Sequence, residues 1–422
     1  MNEFLKYYSK NNFLTRLKFL EINRLYELSP EKLLDKYNIE FLSLFRKAIQ
    51  QSEFYKSFYK NHGINISDIK DLTDINKLPI IDRSCIKNDI ENIFIGFNFL
   101  KIKGLTSGTS GSPLTLLRTP FDIAKEQAYI RHYREMHGFK SGQPLLSIRG
   151  FLGKNAKYEF YKKANILYLS SPNINQNTIE MYYDMILKFG PIAIEAFPSY
   201  LFKFVTELEK KGLSLNVPLS FTSSETLLSF QRVKIESFLK TIIYDWYGNA
   251  ERSILLAQDS NMKYYPLPLY SINEFNDNNI VTTSLINNHF PLIRYKVEDR
   301  ITVKSNDFLK NLITPDIENI TGRASDNLEL KDGSIVGCID HAFKGVKNLE
   351  MAQVHQYNVN DPIEIKIVVD EAFKKSDEEQ LKSNLIRMLG ESTDLIFTYC
   401  KKEDLVFSEN KKFRLIIKVK PE

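Results

Sequence analysis

The sequence predicts an α/β fold, with a large N-terminal α/β domain over residues 1–322 followed by a small C-terminal α+β domain over 323–422. Three observations lead to it. Short β-type runs at 144–148, 192–196 and 241–246 alternate with helical segments, the alternation that builds sheets covered by helices. A loop rich in glycine, serine and threonine over 104–119 breaks off a helical first hundred residues. Near residue 322 the texture changes to a compact strand–helix–strand pattern of its own.

In the first helical stretch Ser29 caps a helix with Pro30 in its first turn. Leu34, Tyr37, Phe41, Leu44, Phe45 and Ala48 then recur at three- and four-residue intervals, so this helix packs rather than acts. Near the C-terminus Ile363, Ile365 and Ile367 alternate with Glu364 and Lys366 as a half-buried strand. Ser376 and Glu379 form a capping box before Leu381, Leu385, Met388 and Leu389, Gly390 stops that helix, and residues 415–419 form a further strand. Between the two patterns, Ile320-Thr321-Gly322-Arg323 is a boundary of small and charged residues that can also hinge.

Composition narrows the function. Of 422 residues, 43% are apolar and 26% charged, with 17 Gly and 15 Pro, which excludes disordered and collagen-like chains. The 57 Lys and Arg against 52 Asp and Glu leave +5, too weak an excess to point to nucleic acid. Apolar runs such as Phe290-Pro291-Leu292-Ile293 fall far short of the ~20 residues of a transmembrane helix. Met1-Asn2-Glu3-Phe4-Leu5-Lys6 lacks a signal-peptide apolar core, so a cytoplasmic protein is expected. Cys85, Cys338 and Cys400 are too scattered for a disulfide framework or a zinc site. His132 and His137, five residues apart on a helix, fall on different faces and read as packing histidines.

Five segments can carry chemistry. In Thr106-Ser107-Gly108-Thr109-Ser110-Gly111-Ser112-Pro113 two glycines let successive amides turn inward, and the hydroxyls add donors. It reads equally as a phosphate cradle or a surface turn, and it lacks the Gly-Lys-Ser/Thr ending of a Walker loop. The run Tyr244-Asp245-Trp246-Tyr247-Gly248-Asn249-Ala250-Glu251 leads an apolar strand into a glycine turn ending in an acid. Such strand ends bear ligand sites in α/β sheets, with Tyr247 able to stack on a base and Glu251 to hold Mg²⁺; the alternative is a core tryptophan and a solvated glutamate. Arg294-Tyr295 with Asp299, and Gly322-Arg323-Ala324-Ser325-Asp326, offer a carboxylate for ribose hydroxyls and arginines for ribose or phosphate, or else surface ion pairs. Lys411-Lys412-Phe413-Arg414 precedes the last strand and otherwise reads as a basic turn.

In this order the five segments resemble the adenylate-forming superfamily of acyl-CoA synthetases and non-ribosomal adenylation domains. Within it the chain looks most like the phenylacetate-CoA ligase family, in particular the branch encoded with capsular-polysaccharide genes. The resemblance implies that Thr106, Ser107, Gly108, Thr109, Ser110 and Gly111 form the phosphate loop, and that Tyr247 and Gly248 hold adenine. It implies Glu251 and Thr109 for Mg²⁺, Asp299 and Arg323 for the nucleotide, Ser325 and Asp326 for the hinge of a mobile C-terminal domain, and Lys412 as the catalytic lysine beside Glu251 and Thr109. Phe197, Ser223, Ser224 and Trp246 are the candidates lining an acyl pocket. Three departures stand out: Val297-Glu298-Asp299 where the family has Thr-Gly-Asp, Ser325 in place of the first hinge Asp, and Lys411 in place of the glycine before the lysine.

The function implied is an AMP-forming ligase. It would join a small carboxylic acid to the α-phosphate of ATP with Mg²⁺, release pyrophosphate, and pass the acyl group to CoA or to an amine, in capsular or surface polysaccharide biosynthesis. The altered ribose and lysine motifs motivate the alternative of a nucleotide-binding pseudoenzyme acting as an interaction subunit in polysaccharide assembly. No nucleic-acid partner and no transmembrane segment are expected. The acid, the acceptor and the oligomeric state are left open by the sequence.

Overall fold

A computed structural model describes residues 13–105, 114–150, 152, 156–276, 278–323, 328–331, 335–336, 339–343, 346–407 and 413–418. The architecture is the mixed α/β one expected, with a larger N-terminal part and a smaller C-terminal α+β part. The backbone forms two compact units, one of residues 1–144, 161–166 and 244–320, the other of 145–160, 167–243 and 321–422.

In the first unit the helix Pro30–Gln51 begins as expected, with the Ser29 hydroxyl accepting from the Lys32 amide and Pro30 in the first turn. Its buried stripe is Leu33, Tyr37, Phe41, Leu44, Phe45 and Ala48, with Leu34 partly buried against the same core. That stripe packs with Ile272, Ile280, Tyr295, Val297 and Ile301 from an antiparallel sheet ordered Ser271–Asn276, Asn279–Ser284, Tyr295–Val303, Ile317–Arg323. A hairpin of Ile102–Leu105 and Thr115–Arg118 pairs Leu105 with Thr115 on either side of the predicted phosphate loop. The strand Ile242–Gly248 pairs antiparallel with Leu255–Gln258, which pairs with Tyr264–Pro266.

In the second unit Ala193–Ala196 lies parallel between Leu145–Arg149 and Leu219–Ser223, with helices Ile179–Phe189, Pro198–Lys210 and Ser229–Leu239 sharing their apolar core. Its C-terminal part is a four-stranded sheet ordered Leu395–Tyr399, Ile363–Val369, Leu349–Gln356, Ile416–Lys418. Ile363, Ile365 and Ile367 point inward as their alternation predicts, against Leu381, Leu385 and Leu389 of the helix Lys375–Leu389. The expected Ser376–Glu379 box lies two residues earlier: the helix begins at Lys375, and the Asp377 carboxylate at its third position accepts the Lys374 amide at 3.0 Å. Gly390, at φ 89°, ends the helix with its amide on the Ile386 carbonyl at 2.8 Å. Among the described residues no helix is long and apolar enough to cross a membrane.

Candidate functional site

Within the first unit, the strand Ile242–Gly248 ends where a β-carbon on Gly248 would stand 3.2 Å from the Ile254 carbonyl oxygen, so glycine suits the turn that follows. Asn249 closes the turn on itself, its side chain accepting the Ser253 amide at 2.9 Å and donating to the Ser253 hydroxyl at 2.7 Å. The turn presents Glu251, which is only 7% exposed. A buried carboxylate requires partners. The Tyr295 hydroxyl donates to Glu251 Oε1 at 3.3 Å, and Arg83 Nη1 lies 3.8 Å from the same oxygen. Burial, and then the nearby Glu251 charge, push the Tyr295 hydroxyl well above its ordinary pKa, so it stays a protonated donor.

Asp299 reaches the same neighbourhood from the strand Tyr295–Val303, where its Oδ2 accepts the Tyr247 hydroxyl at 2.7 Å. The pairing with the neighbouring strand jumps from Ile280↔Val297 to Asn279↔Arg300, so Glu298 and Asp299 form a bulge, a device that re-aims side chains. Neither residue has a positive φ, so a side chain at 298 fits where the resembled motif carries glycine. Two hydrogen bonds, Tyr247–Asp299 and Tyr295–Glu251, thus join segments some fifty residues apart in sequence.

Arg294 has a different place from the ribose or surface role its motif suggested. It is 9% exposed, with Nη2 and Nε on Glu274 at 2.8 and 3.0 Å, and Nη1 on the Asn76 carbonyl at 2.9 Å and on that of Leu78. A buried guanidinium needs a carboxylate and satisfied donors, and both come from the scaffold.

Trp246 belongs to this unit, its ring centroid 5.6 Å from that of Tyr133 and the Arg134 guanidinium 5.8 Å from it. Phe197, Ser223 and Ser224 belong to the second unit. Phe197 stacks on Tyr200 at 5.1 Å, and the two serine hydroxyls lie 3.4 Å apart at the end of Leu219–Ser223, with Ser224 at φ 70°. Arg323 closes the strand Ile317–Arg323. Thr106, Ser107, Gly108, Thr109, Ser110, Gly111, Ser325, Asp326 and Lys412 lie outside the described residues.

Sequence reasoning missed Arg83, and gave Tyr295 no role. Arg83 begins the helix Arg83–Ile93, and nothing in its neighbours signals a distant carboxylate. Among the described residues no group of three or more His, Cys, Asp or Glu could hold a metal ion. Mg²⁺ is commonly kept by one or two carboxylates together with substrate phosphates, and Glu251 fits that mode.

Comparison with known proteins gives three further findings. A family model described as the CapK C-terminal domain matches residues 328–419. CapK of Staphylococcus aureus is 22% identical over 417 residues, covering 94% of this chain and 90% of its own, and a phenylacetate-coenzyme A ligase of Pseudomonas putida is 22% identical over 386 residues, covering 84% and 85%. The crystal structure of 2-hydroxyisobutyryl-CoA ligase in the postadenylation state, in complex with R3-HIB-AMP, superposes with a TM-score of 0.69 at 15% identity, covering 90% of this chain and 88% of that one.

Proposed function

We propose that this chain, a relative of CapK and of the phenylacetate-CoA ligases with the fold of the adenylate-forming CoA ligases, is an AMP-forming carboxylate-activating ligase. The observation that carries the reading is the pair of hydrogen bonds that brings Tyr247 to Asp299 and Tyr295 to Glu251, since four residues of two separate nucleotide motifs meet in one unit.

In this reading a carboxylate oxygen of the acid attacks the α-phosphorus of ATP; the new P–O bond forms as the bond to the β-phosphate bridge breaks, and pyrophosphate leaves. No enzymic nucleophile is needed, so the protein's work is positioning and charge compensation. Asp299, held by Tyr247, accepts the ribose hydroxyls, while the Tyr247 ring packs on adenine beside Gly248. Glu251 and Thr109 would hold Mg²⁺, which when bound neutralises phosphate charge. The loop from Thr106 to Gly111 takes the departing phosphates, Arg323 contacts the nucleotide, and Lys412 compensates charge between the acid and the α-phosphate. Phe197, Ser223, Ser224 and Trp246 are our candidates for holding the acid, and Ser325 with Asp326 for the hinge that withdraws Lys412 before acyl transfer. The acceptor is the thiol of CoA or an amine. The resemblance to the capsule-encoded branch favours a place in surface polysaccharide synthesis, and we assign the reaction to the cytoplasm.

The test is ATP–pyrophosphate exchange across a panel of carboxylic acids, followed by transfer to CoA, amino acids and amino sugars. Exchange that depends on one class of acid supports the ligase; ATP binding with no exchange for any acid supports the pseudoenzyme instead. A second expectation concerns Asp299→Ala, which removes a charge-assisted acceptor from the ribose and should weaken ATP binding by about 1.5–3 kcal/mol. Calorimetry on the folded variant measures it, and unchanged affinity would take Asp299 out of the site.

A further inference from the structure

The turn that carries Glu251 is held from outside at three successive carbonyls. Arg118 donates to the Ala250 oxygen, Asn287 Nδ2 to the Glu251 oxygen at 2.8 Å, and the Ser284 hydroxyl to the Arg252 oxygen at 2.9 Å. Carbonyls of a turn ordinarily find water, so three side chains recruited to three in a row fix the backbone well beyond what satisfying it requires. Arg118 comes from the end of the strand Thr115–Arg118, and its place depends on its partner strand. A β-carbon on Gly104 would lie 2.9 Å from Arg118 Nη1, closer than β-carbons come, and 3.2 Å from Cζ, so an alanine there would push the guanidinium out of its present place.

Resting on the ligase reading, we infer that Arg118 is a positioning residue for Glu251: seated over Gly104, it ties the strand that follows the 106–113 segment to the Ala250 carbonyl and thereby sets where the Glu251 carboxylate stands. The surrounding charges agree with a fixed cation there. Arg252 pairs with Glu126 at 2.6 Å, and Glu126 and Glu251 are the carboxylates whose charges act on Arg118. Burial and Arg252 draw the Arg118 pKa down to about 10, still charged at neutral pH. Arg118 acts through Glu251 and is given no contact with substrate.

The test uses Arg118→Gln, Arg118→Lys, Gly104→Ala and the Gly104→Ala/Arg118→Gln double variant in the full chain. Without nucleotide, hydrogen exchange of the amides at 249–253 should speed about tenfold in Arg118→Gln and in Gly104→Ala, since both remove the same clamp. The double variant should be no worse than Arg118→Gln, as coupled sites require, and Arg118→Lys should restore part of the protection. Pyrophosphate exchange should fall roughly 10–100-fold in kcat with the KM for the acid unchanged, the signature of a misplaced group rather than lost binding. If Arg118→Gln fails to fold, Gly104→Ala alone decides by the same readout. Unchanged protection at 249–253, or additive losses in the double variant, would overturn the positioning role. Wild-type protein lacking acid-dependent exchange would instead sink the ligase reading, with the hydrogen-exchange outcome still deciding Arg118.

Discussion

Lys412→Ala is expected to slow acid-dependent ATP–pyrophosphate exchange by about 10²–10³-fold, the rate equivalent of the roughly 3–4 kcal/mol that a positioned cation contributes where charge develops in a transition state. Stability should hardly change, because the flanking chain is anchored without it. Phe407 and Phe413 form an antiparallel bridge, and buried Gln353 donates to the carbonyls of Val406 and Arg414 at 2.7 and 2.8 Å. A chemically supplied acyl-adenylate should still reach product at a near-normal rate, since the proposed mechanism does not use this lysine in its second step. Lys411→Ala run in parallel fixes the register, because adjacent lysines precede Phe413. If both variants keep full exchange, the catalytic lysine and the two-conformation mechanism built on it are wrong.

What could be read from the sequence follows from how local each determinant is. The grouping of Tyr247, Gly248 and Glu251 was legible because a strand end, a turn glycine and an acid fall within five residues, and the strand does end at Gly248 with Glu251 in the turn that follows. The buried helix stripe was legible to within one residue. Leu33 and Leu34 lie four and three residues before Tyr37, both spacings satisfy helical periodicity, and both side chains reach the core, Leu33 the more deeply. The partners of the Glu251 turn were illegible for the opposite reason. Arg118 lies 132 residues from Ala250 and Asn287 lies 36 from Glu251, and no local pattern marks a side chain whose function is to meet a distant carbonyl. The bulge at Glu298 and Asp299 was likewise hidden, because a change of register is a property of two strands.

Arg294→Met is expected to be the most destabilising single change in the first unit, by about 3–5 kcal/mol, because it strands the Glu274 carboxylate, itself only 6% exposed, without its cation. The damage should extend past the pair. Arg294 also holds the carbonyls of Asn76 and Leu78, and its own carbonyl accepts the Ile81 amide at 3.0 Å. Those contacts tether the segment leading into the helix Arg83–Ile93, which delivers Arg83 to within 3.8 Å of Glu251. The substitution Arg294→Met/Glu274→Leu removes both charges and should recover most of the loss, since replacing a buried pair by apolar residues of similar volume is often neutral. Trp246, the one tryptophan in the sequence, lies in the same unit, so its fluorescence during denaturant unfolding reports the effect. ATP affinity of the folded single variant should fall far less than in Asp299→Ala, because the guanidinium faces Glu274 and the backbone. Stability unchanged within 1 kcal/mol together with a tenfold loss of ATP affinity would reverse the assignment and return Arg294 to the nucleotide.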